Sequence, residues 1–460
     1  MLLLVVTRSA HTLGCGTCDC ALACRHPVID GQNLARASVL NGLDEAVLIM
    51  VIGYRLSATG FFSLPELRAE NGDKAGAGNQ GFLDQIEGLK WAKRNAKFFG
   101  TLDNPRITVF GESAGAYDIS LHLSTSMSIG LFDGAIMQSP YSALTWIDCN
   151  TTETYSEVVA EQLCKGLPDR LSCLRGKPGK DVIKAMKDAM KKAPVSSSTD
   201  FYPCKDGYLF KCPPLETMLD KTGTKCGKTP IVPVIVGMNQ EEGHVVVPEI
   251  GRDNWNLTDN HSFNVTIVKL YNDIASRFGA FTASELAIER DVIDRAYALY
   301  PEEEVAMWLW GASTVANRAL SLDIMRLGKM LGDDYTFGST VYHGARGWAS
   351  KGMDVYVYRF NVTADQLFLQ LSGPTHAFDV PYVFGTFKEF VGACVCACIC
   401  LRVCERAQPC RRVRVCMCAC LRTSTPAPPL MRVCMSLPVS HSVCAGVCLS
   451  ACLCTCNRQC

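Results

Sequence analysis

A continuous apolar run, "AVLIMVIGY" at residues 46–54, sets the first constraint on how this chain folds. It contains no charged residue and is rich in β-branched side chains, so it predicts a strand that is buried on both faces. Such strands occur mainly in parallel sheets, whose strands are joined by crossover connections that are usually helices. A helix is therefore expected next along the chain.

The following stretch has the pattern of that helix. In "GFLDQIEGLKWAKRNAKFFG" at 81–100, apolar residues recur at helical spacing, and a glycine stands at the C-terminal end. The recurring positions are Phe82, Ile86, Leu89, Ala92 and Ala96. Next, "RITVF" at 106–110 and "DGAIMQS" at 133–139 predict strands on either side of a short helix, "AGAYDISLHLS" at 114–124.

The same alternation continues further along the chain. "IVPVIVG" at 231–237 and "DVYVYRF" at 354–360 predict two more strands, and helical patterns at 155–165, 180–192 and 306–331 precede them. Strands that alternate with crossover helices predict an α/β fold, with a mostly parallel central sheet flanked by helices.

The last part of the chain differs from the rest in composition. Residues 394–460 hold 16 of the 26 cysteines, eight arginines and one glutamate, although the whole chain has a formal net charge of zero. This segment has neither a helical period nor turn chemistry, so no folded domain is expected there. Metal binding through Cys-x-Cys steps is one interpretation, and translated repetitive DNA is the other. The interleaved apolar residues favour the second.

These differences predict three parts: a Cys-rich leader at 1–29 outside the native domain, a domain at 30–390, and a Cys/Arg-rich low-complexity tail at 391–460 that is disordered or mistranslated. The body has no basic stripe with interleaved aromatic residues, so nucleic acid is not an expected partner. The longest apolar runs are well short of the ~20 residues that span a bilayer, so no transmembrane helix is expected.

"FGESAG" at 110–115 places Ser113 between two glycines, directly after a predicted strand. In a strand-turn-helix context G-x-S-x-G forms a nucleophile elbow, in which the N–H of the next residue, here Ala114, helps to bind an oxyanion. The same pentapeptide also occurs as a plain turn. A serine hydroxyl becomes nucleophilic when a base accepts its proton and a carboxylate orients that base.

Candidates for the acid and the base follow later strands. Glu241 and Glu242 come directly after the strand at 231–237, and His376 lies in the loop after the strand at 354–360. Open α/β sheets carry their sites at the carboxyl ends of the strands. Adjacent carboxylates in a loop are also common as solvated charge, and a histidine is also common as a structural residue. The order serine, acid, histidine is that of the α/β-hydrolase arrangement.

Several segments resemble, in order, the type-B carboxylesterase and cholinesterase family. "GYRLSATGFFS" resembles its N-Y-R-L-x-x-x-G-F stretch, "GNQGFLDQ" its G-N-x-G-L-x-D-Q helix, and "ITVFGESAGA" its active-serine signature. "GLFDGAIMQSP", the "EEG" at 241–243 and "GPTHAFDVPYVFG" continue the match. The resemblance implies that residues 30–390 form a carboxylesterase-type α/β-hydrolase domain.

The resemblance also implies roles for individual residues. Ser113 corresponds to the acyl-forming nucleophile, Glu242 to the acid, and His376 to the general base and then general acid. Glu242 is preferred to Glu241 because the family's acid directly precedes a glycine. Glu112 resembles the family's carboxylate near the catalytic imidazole.

Cysteines and sequons indicate the cellular compartment. Cys164 and Cys173 resemble a small disulfide loop of the family. No partners are assigned to four further cysteines: Cys149, Cys204, Cys212 and Cys226. Five N-x-S/T sequons predict a glycoprotein, where roughly two or three are expected by chance. They start at Asn150, Asn256, Asn260, Asn264 and Asn361. Together with the resemblance they predict a secreted or lumenal protein, although "MLLLVV" lacks the basic region of a signal peptide.

The function that the resemblance implies is hydrolysis of small-molecule carboxylic esters, with no metal or organic cofactor. Family members carry a glycine loop whose N–H groups form most of the oxyanion hole, and this chain has no such loop. The family's first strands and last helices are also expected to be missing. A non-catalytic cholinesterase-like interaction protein and an inactive truncated product are therefore the alternatives, and no oligomeric state is predicted.

Overall fold

The structure is a computed structural model of the chain. It describes residues 2–5, 31–40, 46–72, 78–101, 103–141, 148–192, 202–243, 329–362, 374–386, 395–404 and 411–419. The predicted helix at 306–331 lies outside the described residues up to position 328. None of the helices among the described residues is long and apolar enough to cross a membrane.

One eight-stranded sheet organises the described residues. Its strands are β1 Leu2–Val5, β2 Leu48–Val51, β3 Ile107–Glu112, β4 Gly134–Gln138, β5 Val234–Asn239, β6 Val355–Phe360, β7 Val395–Cys404 and β8 Arg411–Ala419. Their order across the sheet is β2-β1-β3-β4-β5-β6-β7-β8. All neighbouring strands from β2 to β6 pair in parallel. β7 pairs antiparallel with β6, and β8 pairs antiparallel with β7. The predicted mostly parallel sheet is confirmed.

The first strand lies within residues 1–29, the segment that the sequence predicts to lie outside the native domain. Leu2–Val5 lies between β2 and β3, with Val5 in register with Val51 and Phe110. Four consecutive apolar residues suit this central position, since a strand in a parallel sheet is covered on both faces. The expectation that the family's first strands are missing is therefore not confirmed.

The last two strands lie within residues 391–460, the segment predicted to be a disordered or mistranslated tail. Val395–Cys404 pairs with β6 and with Arg411–Ala419, and both pairs are antiparallel. Valine and isoleucine favour strands whatever the complexity of the sequence. An antiparallel hairpin also needs only a short connection, and here it covers the otherwise unpaired edge of β6.

Helices cover both faces of the sheet. They are α1 Gln32–Leu40, α2 Ser57–Gly60, α3 Pro65–Asn71, α4 Gln80–Asn95, α5 Ala114–His122, α6 Cys149–Cys164, α7 Arg170–Arg175, α8 Gly179–Lys192, α9 Pro214–Leu219, α10 Ser339–Ser350 and α11 Val380–Phe384. A π-helix at Lys329–Gly338 precedes α10. The five positions predicted to form the apolar face of the helix at 81–100 are all buried.

Consecutive residues of β3 belong to two separate cores. Val109 packs with Leu89 and Trp348 on one face of the sheet, whereas Phe110 packs with Val380 and Phe384 of α11 on the other. Burying a side chain of this size contributes about 1.5–3 kcal/mol. Both faces are therefore anchored immediately before Ser113.

Three disulfides join cysteines of the chain segment between β4 and β5. Cys164 is bonded to Cys173, the pair that resembles the family's loop. The four cysteines without predicted partners form two more bonds, Cys149–Cys204 and Cys212–Cys226. Sequence spacing did not indicate these pairs, because 55 residues separate the first two cysteines.

Candidate active site

Ser113 occupies the sharp turn between β3 and α5. Its φ of 54° and ψ of −114° lie outside the regions that side chains usually adopt. Such a conformation costs roughly 1–3 kcal/mol and needs support from its surroundings. The Ser113 N–H donates to Gln138 O at 2.8 Å, and the Ser113 carbonyl accepts from Tyr117 N at 2.8 Å. Strand and helix therefore hold the turn from both sides.

The predicted serine, histidine and acid meet at the carboxyl ends of the strands. His376 Nε2 lies 2.7 Å from Ser113 Oγ. His376 Nδ1 lies 2.6 Å from Glu242 Oε2. This geometry fits an Nδ1–H that donates to Glu242 and an Nε2 that accepts the serine proton. His376 is 263 positions after Ser113 and 134 positions after Glu242 in the sequence, so only the fold brings them together.

The two adjacent glutamates have different surroundings. Glu242 is fully buried, and its Oε1 accepts from Ser139 Oγ at 2.5 Å and from the Asn239 N–H at 2.6 Å. Glu241 instead forms an ion pair with Lys329. Glu242 is therefore oriented towards His376 and Glu241 is not.

Ala114 and Glu112 flank the serine. Ala114 is the first residue of α5, a position whose N–H has no partner within its own helix. Glu112 Oε1 lies 3.3 Å from His376 Nε2, on the same side of the imidazole as Ser113. Both residues therefore lie next to the Ser113–His376 contact.

Charge and burial shift the pKa values at this site. Burial raises the pKa of Glu112 to about 8, opposed by attraction to His376 and assisted by the charges of Asp379 and Glu242. Burial lowers the pKa of His376, but the charges of Glu112 and Glu242 and the hydrogen bond with Glu242 outweigh it and raise the value to about 9. The surrounding carboxylates therefore favour the imidazolium.

A buried polar cluster beneath the histidine loop was not found from the sequence. Asp379 Oδ2 accepts from Gln138 Nε2 at 2.7 Å and from Tyr358 OH at 3.1 Å. Asn239 Nδ2 donates to Thr375 O at 2.8 Å. The cluster joins the residues on either side of His376 to the ends of β4 and β5 and to the middle of β6. Burial raises the pKa of Asp379, whereas the hydrogen bond from Gln138 lowers it. The one sequence signal that could have indicated this cluster is Asp379, an acidic residue three positions after His376.

Aromatic side chains lead away from the imidazole. The rings of His376 and Phe337 have centroids 4.7 Å apart. Phe337 contacts Tyr141 edge-on, and Tyr141 stacks on Tyr117 with centroids 5.0 Å apart. This row was not predicted from the sequence, because its members come from the π-helix, the residues after β4, and α5. The row therefore continues from the imidazole into the buried core.

Two of the five predicted glycosylation sites lie among the described residues. Asn150 and Asn361 are exposed. The other three predicted asparagines lie outside the described residues: Asn256, Asn260 and Asn264.

Comparison with known proteins identifies the family. Residues 23–390 match the Carboxylesterase family. The chain belongs to this family. The match begins seven residues before the predicted domain start at 30 and ends at the predicted boundary. Membership and the sheet topology agree on the α/β-hydrolase fold.

Similarity to individual members of the carboxylesterase family is moderate. The chain is 36% identical over 178 residues to acylcarnitine hydrolase of Mus musculus, covering 37% of this chain and 30% of that protein. It is 38% identical over 161 residues to cocaine esterase of Oryctolagus cuniculus, covering 33% and 29%. Acetylcholinesterase of Electrophorus electricus is 27% identical over 394 residues, covering 78% and 55%. The matched part therefore spans between about a third and about half of these relatives.

Proposed function

We propose that the protein is a serine hydrolase of carboxylic esters that forms an acyl-enzyme on Ser113. The observation that carries the proposal is the continuous contact from Ser113 Oγ through His376 to the buried Glu242, at 2.7 Å and 2.6 Å. Nucleophile, base and orienting acid need this order of contacts. Family membership and relatives that bear the names of esterases and hydrolases give further support.

The first half of the reaction transfers the acyl group to the serine. Ser113 Oγ attacks the ester carbonyl as its proton passes to His376 Nε2, and the carbonyl oxygen becomes an oxyanion. The oxyanion accepts from the Ala114 N–H. The imidazolium, stabilised by Glu242, then gives its proton to the alcohol oxygen as the C–O bond breaks. The alcohol leaves, and the acyl group remains on Ser113.

The second half restores the enzyme. Water gives a proton to neutral His376 and attacks the acyl carbon, and the imidazolium then protonates Ser113 Oγ as that bond breaks. The product is a carboxylic acid, which ionises in neutral solution. Each oxyanion donor contributes roughly 3–4 kcal/mol in such sites. Among the described residues we assign one donor, the Ala114 N–H, so the rate depends strongly on the geometry of that turn.

The surroundings of the site support an ester with an apolar group on one side of the scissile bond. The ring of Phe337 packs against the imidazole, and Tyr141 and Tyr117 extend this aromatic row. Three disulfides among the described residues support the secretory route, since disulfides persist in oxidising compartments. The exposed Asn150 and Asn361 are the corresponding glycosylation candidates.

Labelling with a fluorophosphonate probe and hydrolysis of p-nitrophenyl butyrate by the full-length chain test the proposal. Ser113→Ala should abolish labelling and lower kcat by roughly a million-fold. Ser350→Ala is the matched control, because its hydroxyl bonds to Gly347 O at the end of α10, and both activities should persist.

Two results would contradict the proposal in different ways. Labelling that survives in Ser113→Ala would refute the assignment of the nucleophile. A folded parent chain that neither labels nor hydrolyses the ester would favour the alternatives, a non-catalytic interaction protein or an inactive product.

A further inference from the structure

A cavity lies at the amino ends of the parallel strands, whereas Ser113 lies at their carboxyl ends. It has a volume of about 710 Å³ and is bounded by residues that precede β3, β4 and β5 and by Lys351 after α10. This volume is within the range of about 300–1,000 Å³ that is typical of small-molecule sites. β3 is six residues long, so about 20 Å of strand separates the cavity from the nucleophile turn.

Positive charge dominates the lining of this cavity. Four cations line it: Arg106, Lys221, Lys228 and Lys351. Within the described part of the chain, none of the four forms an ion pair with a carboxylate. Asp133 also lines the cavity, but its Oδ2 already accepts from the Ile107 N–H at 2.8 Å. The cavity therefore favours an anion.

Lys351 is the cation placed best for a direct contact. Its Nζ lies 3.5 Å from Thr229 Oγ1, and the side chain is half-buried. Burial lowers the pKa of Lys351, against the attraction of Asp220. A half-buried ammonium group has lost part of its hydration and gains from an anionic partner.

Apolar side chains stand beside these charges. Ile129 and Ile231 line the cavity with 49% and 55% of their surfaces exposed, and Phe132 and Val232 line it from below. A strongly hydrated ion such as phosphate would leave this apolar surface exposed to water. An anion with an alkyl chain would cover it.

The loop that carries part of the lining is held in shape before any ligand binds. Asp220 accepts from the N–H groups of Gly223, Lys225 and Cys226, at 3.1, 3.0 and 2.8 Å. Cys226 is bonded to Cys212. Gly223 has a φ of 67°, and a side chain there would meet the carbonyl of Gly227. Preorganisation of this kind lowers the entropy lost on binding.

We propose that this cavity binds a medium-chain alkyl carboxylate, with the carboxylate against Lys351 and the chain over Ile129 and Ile231. The proposal requires no turnover at Ser113. An ester hydrolase would release ligands of this class, so the cavity would hold the product of the function proposed above, while binding itself is independent of that function.

Titration calorimetry of the full-length chain with decanoate tests the proposal. Saturable binding is expected, and Lys351→Met should weaken it about tenfold, because one charge-assisted contact is lost. Lys225→Met is the matched control, since Lys225 lies on the same loop but pairs with Glu216. Its affinity should equal that of the parent. Decanol, which has the same chain without the charge, should bind at least tenfold more weakly.

A second variant keeps the test decisive if Lys351→Met fails to fold. Ile231 is largely exposed, so Ile231→Asp should fold and should weaken decanoate binding by placing a carboxylate at the mouth of the cavity. Equal affinity of the parent and the folded variants would overturn the proposal, because decanoate would then bind elsewhere, for example beside Ser113. Absence of saturable binding to the parent chain would also overturn it.

Discussion

Glu112→Gln should move the acidic limb of the kcat/KM profile to lower pH by about one to two units. His376 accepts a proton only when it is neutral, so kcat/KM falls as the pH falls through the pKa of His376, which is raised to about 9. The Glu112 carboxylate favours the imidazolium. Its removal lowers the pKa of His376, and more of the base is then available near neutral pH.

The magnitude follows from the distance between the two groups. Glu112 Oε1 lies 3.3 Å from His376 Nε2. Unit charges at this distance interact by about 1 kcal/mol in water and about 5 kcal/mol at an effective dielectric constant of 20. One pKa unit corresponds to about 1.4 kcal/mol, so the limits are about one and about four units. The Glu112 side chain keeps 16% exposure, and its own pKa is raised to about 8, so its charge is incomplete over much of this range. The expected shift of the acidic limb is therefore in the lower part of this interval, about one to two units.

The alkaline plateau should fall in the same variant. In the proposed mechanism, the charge of Glu112 that disfavours the free base also stabilises the imidazolium that forms while Ser113 attacks. Glu112→Gln should therefore lower kcat/KM at high pH and increase the fraction of neutral His376 at lower pH. A change that merely disturbed the fold would lower the plateau and leave the position of the limb unchanged.

Initial rates with p-nitrophenyl butyrate across the neutral and alkaline range measure both effects, with Ser113→Ala as the blank for spontaneous hydrolysis. Glu241→Gln is the matched control, because Glu241 pairs with Lys329 and its carboxylate does not contact His376. The reasoning is wrong if the limb of Glu112→Gln coincides with that of the parent, or if Glu241→Gln moves it equally far.

Two further predictions concern groups that support the site. Asp379→Ala removes the acceptor of the Gln138 amide and of the Tyr358 hydroxyl, so it should lower the free energy of unfolding by about 2–3 kcal/mol and kcat by up to about a hundredfold, with a smaller change in KM. Denaturant titrations and steady-state kinetics measure this, and an unchanged kcat would exclude a positioning role. Loss of the Cys149–Cys204 bond, by alanine at both positions, should cost about 4 kcal/mol, against about 2.5 kcal/mol for Cys164–Cys173, because the first closes the longer loop. Equal losses in oxidising denaturant titrations would contradict this order.

Patterns within short stretches were sufficient to predict much of the fold. The apolar face of α4 and the strands β3, β4 and β6 follow from periodicity, since each depends on neighbours a few residues apart. The turn at Ser113 is equally local: a strand, a serine with a small residue after it, and a helix are contiguous in the chain. The sequence therefore predicted where a nucleophile would stand.

The difference between the two candidate acids is not a local property of the sequence. Glu241 and Glu242 are adjacent and alike, and the family pattern alone distinguished them in sequence. In the structure, Ser139 and the Asn239 N–H turn Glu242 inwards, whereas Lys329 holds Glu241. The Ser139 contact spans 103 residues, and no periodicity encodes contacts of that range.

The amino-acid sequence by itself determined the alternation of strands and helices, the nucleophile turn and the order of the site residues. Only the tertiary structure decided that Leu2–Val5 lies between β2 and β3, how Cys149 and Cys204 pair, and that Asp379 lies beneath the histidine loop. The physical reason is the range of the forces involved. Helical and strand periods and turn chemistry act between neighbours, whereas pairing partners are selected when distant surfaces meet and every buried polar group requires a partner.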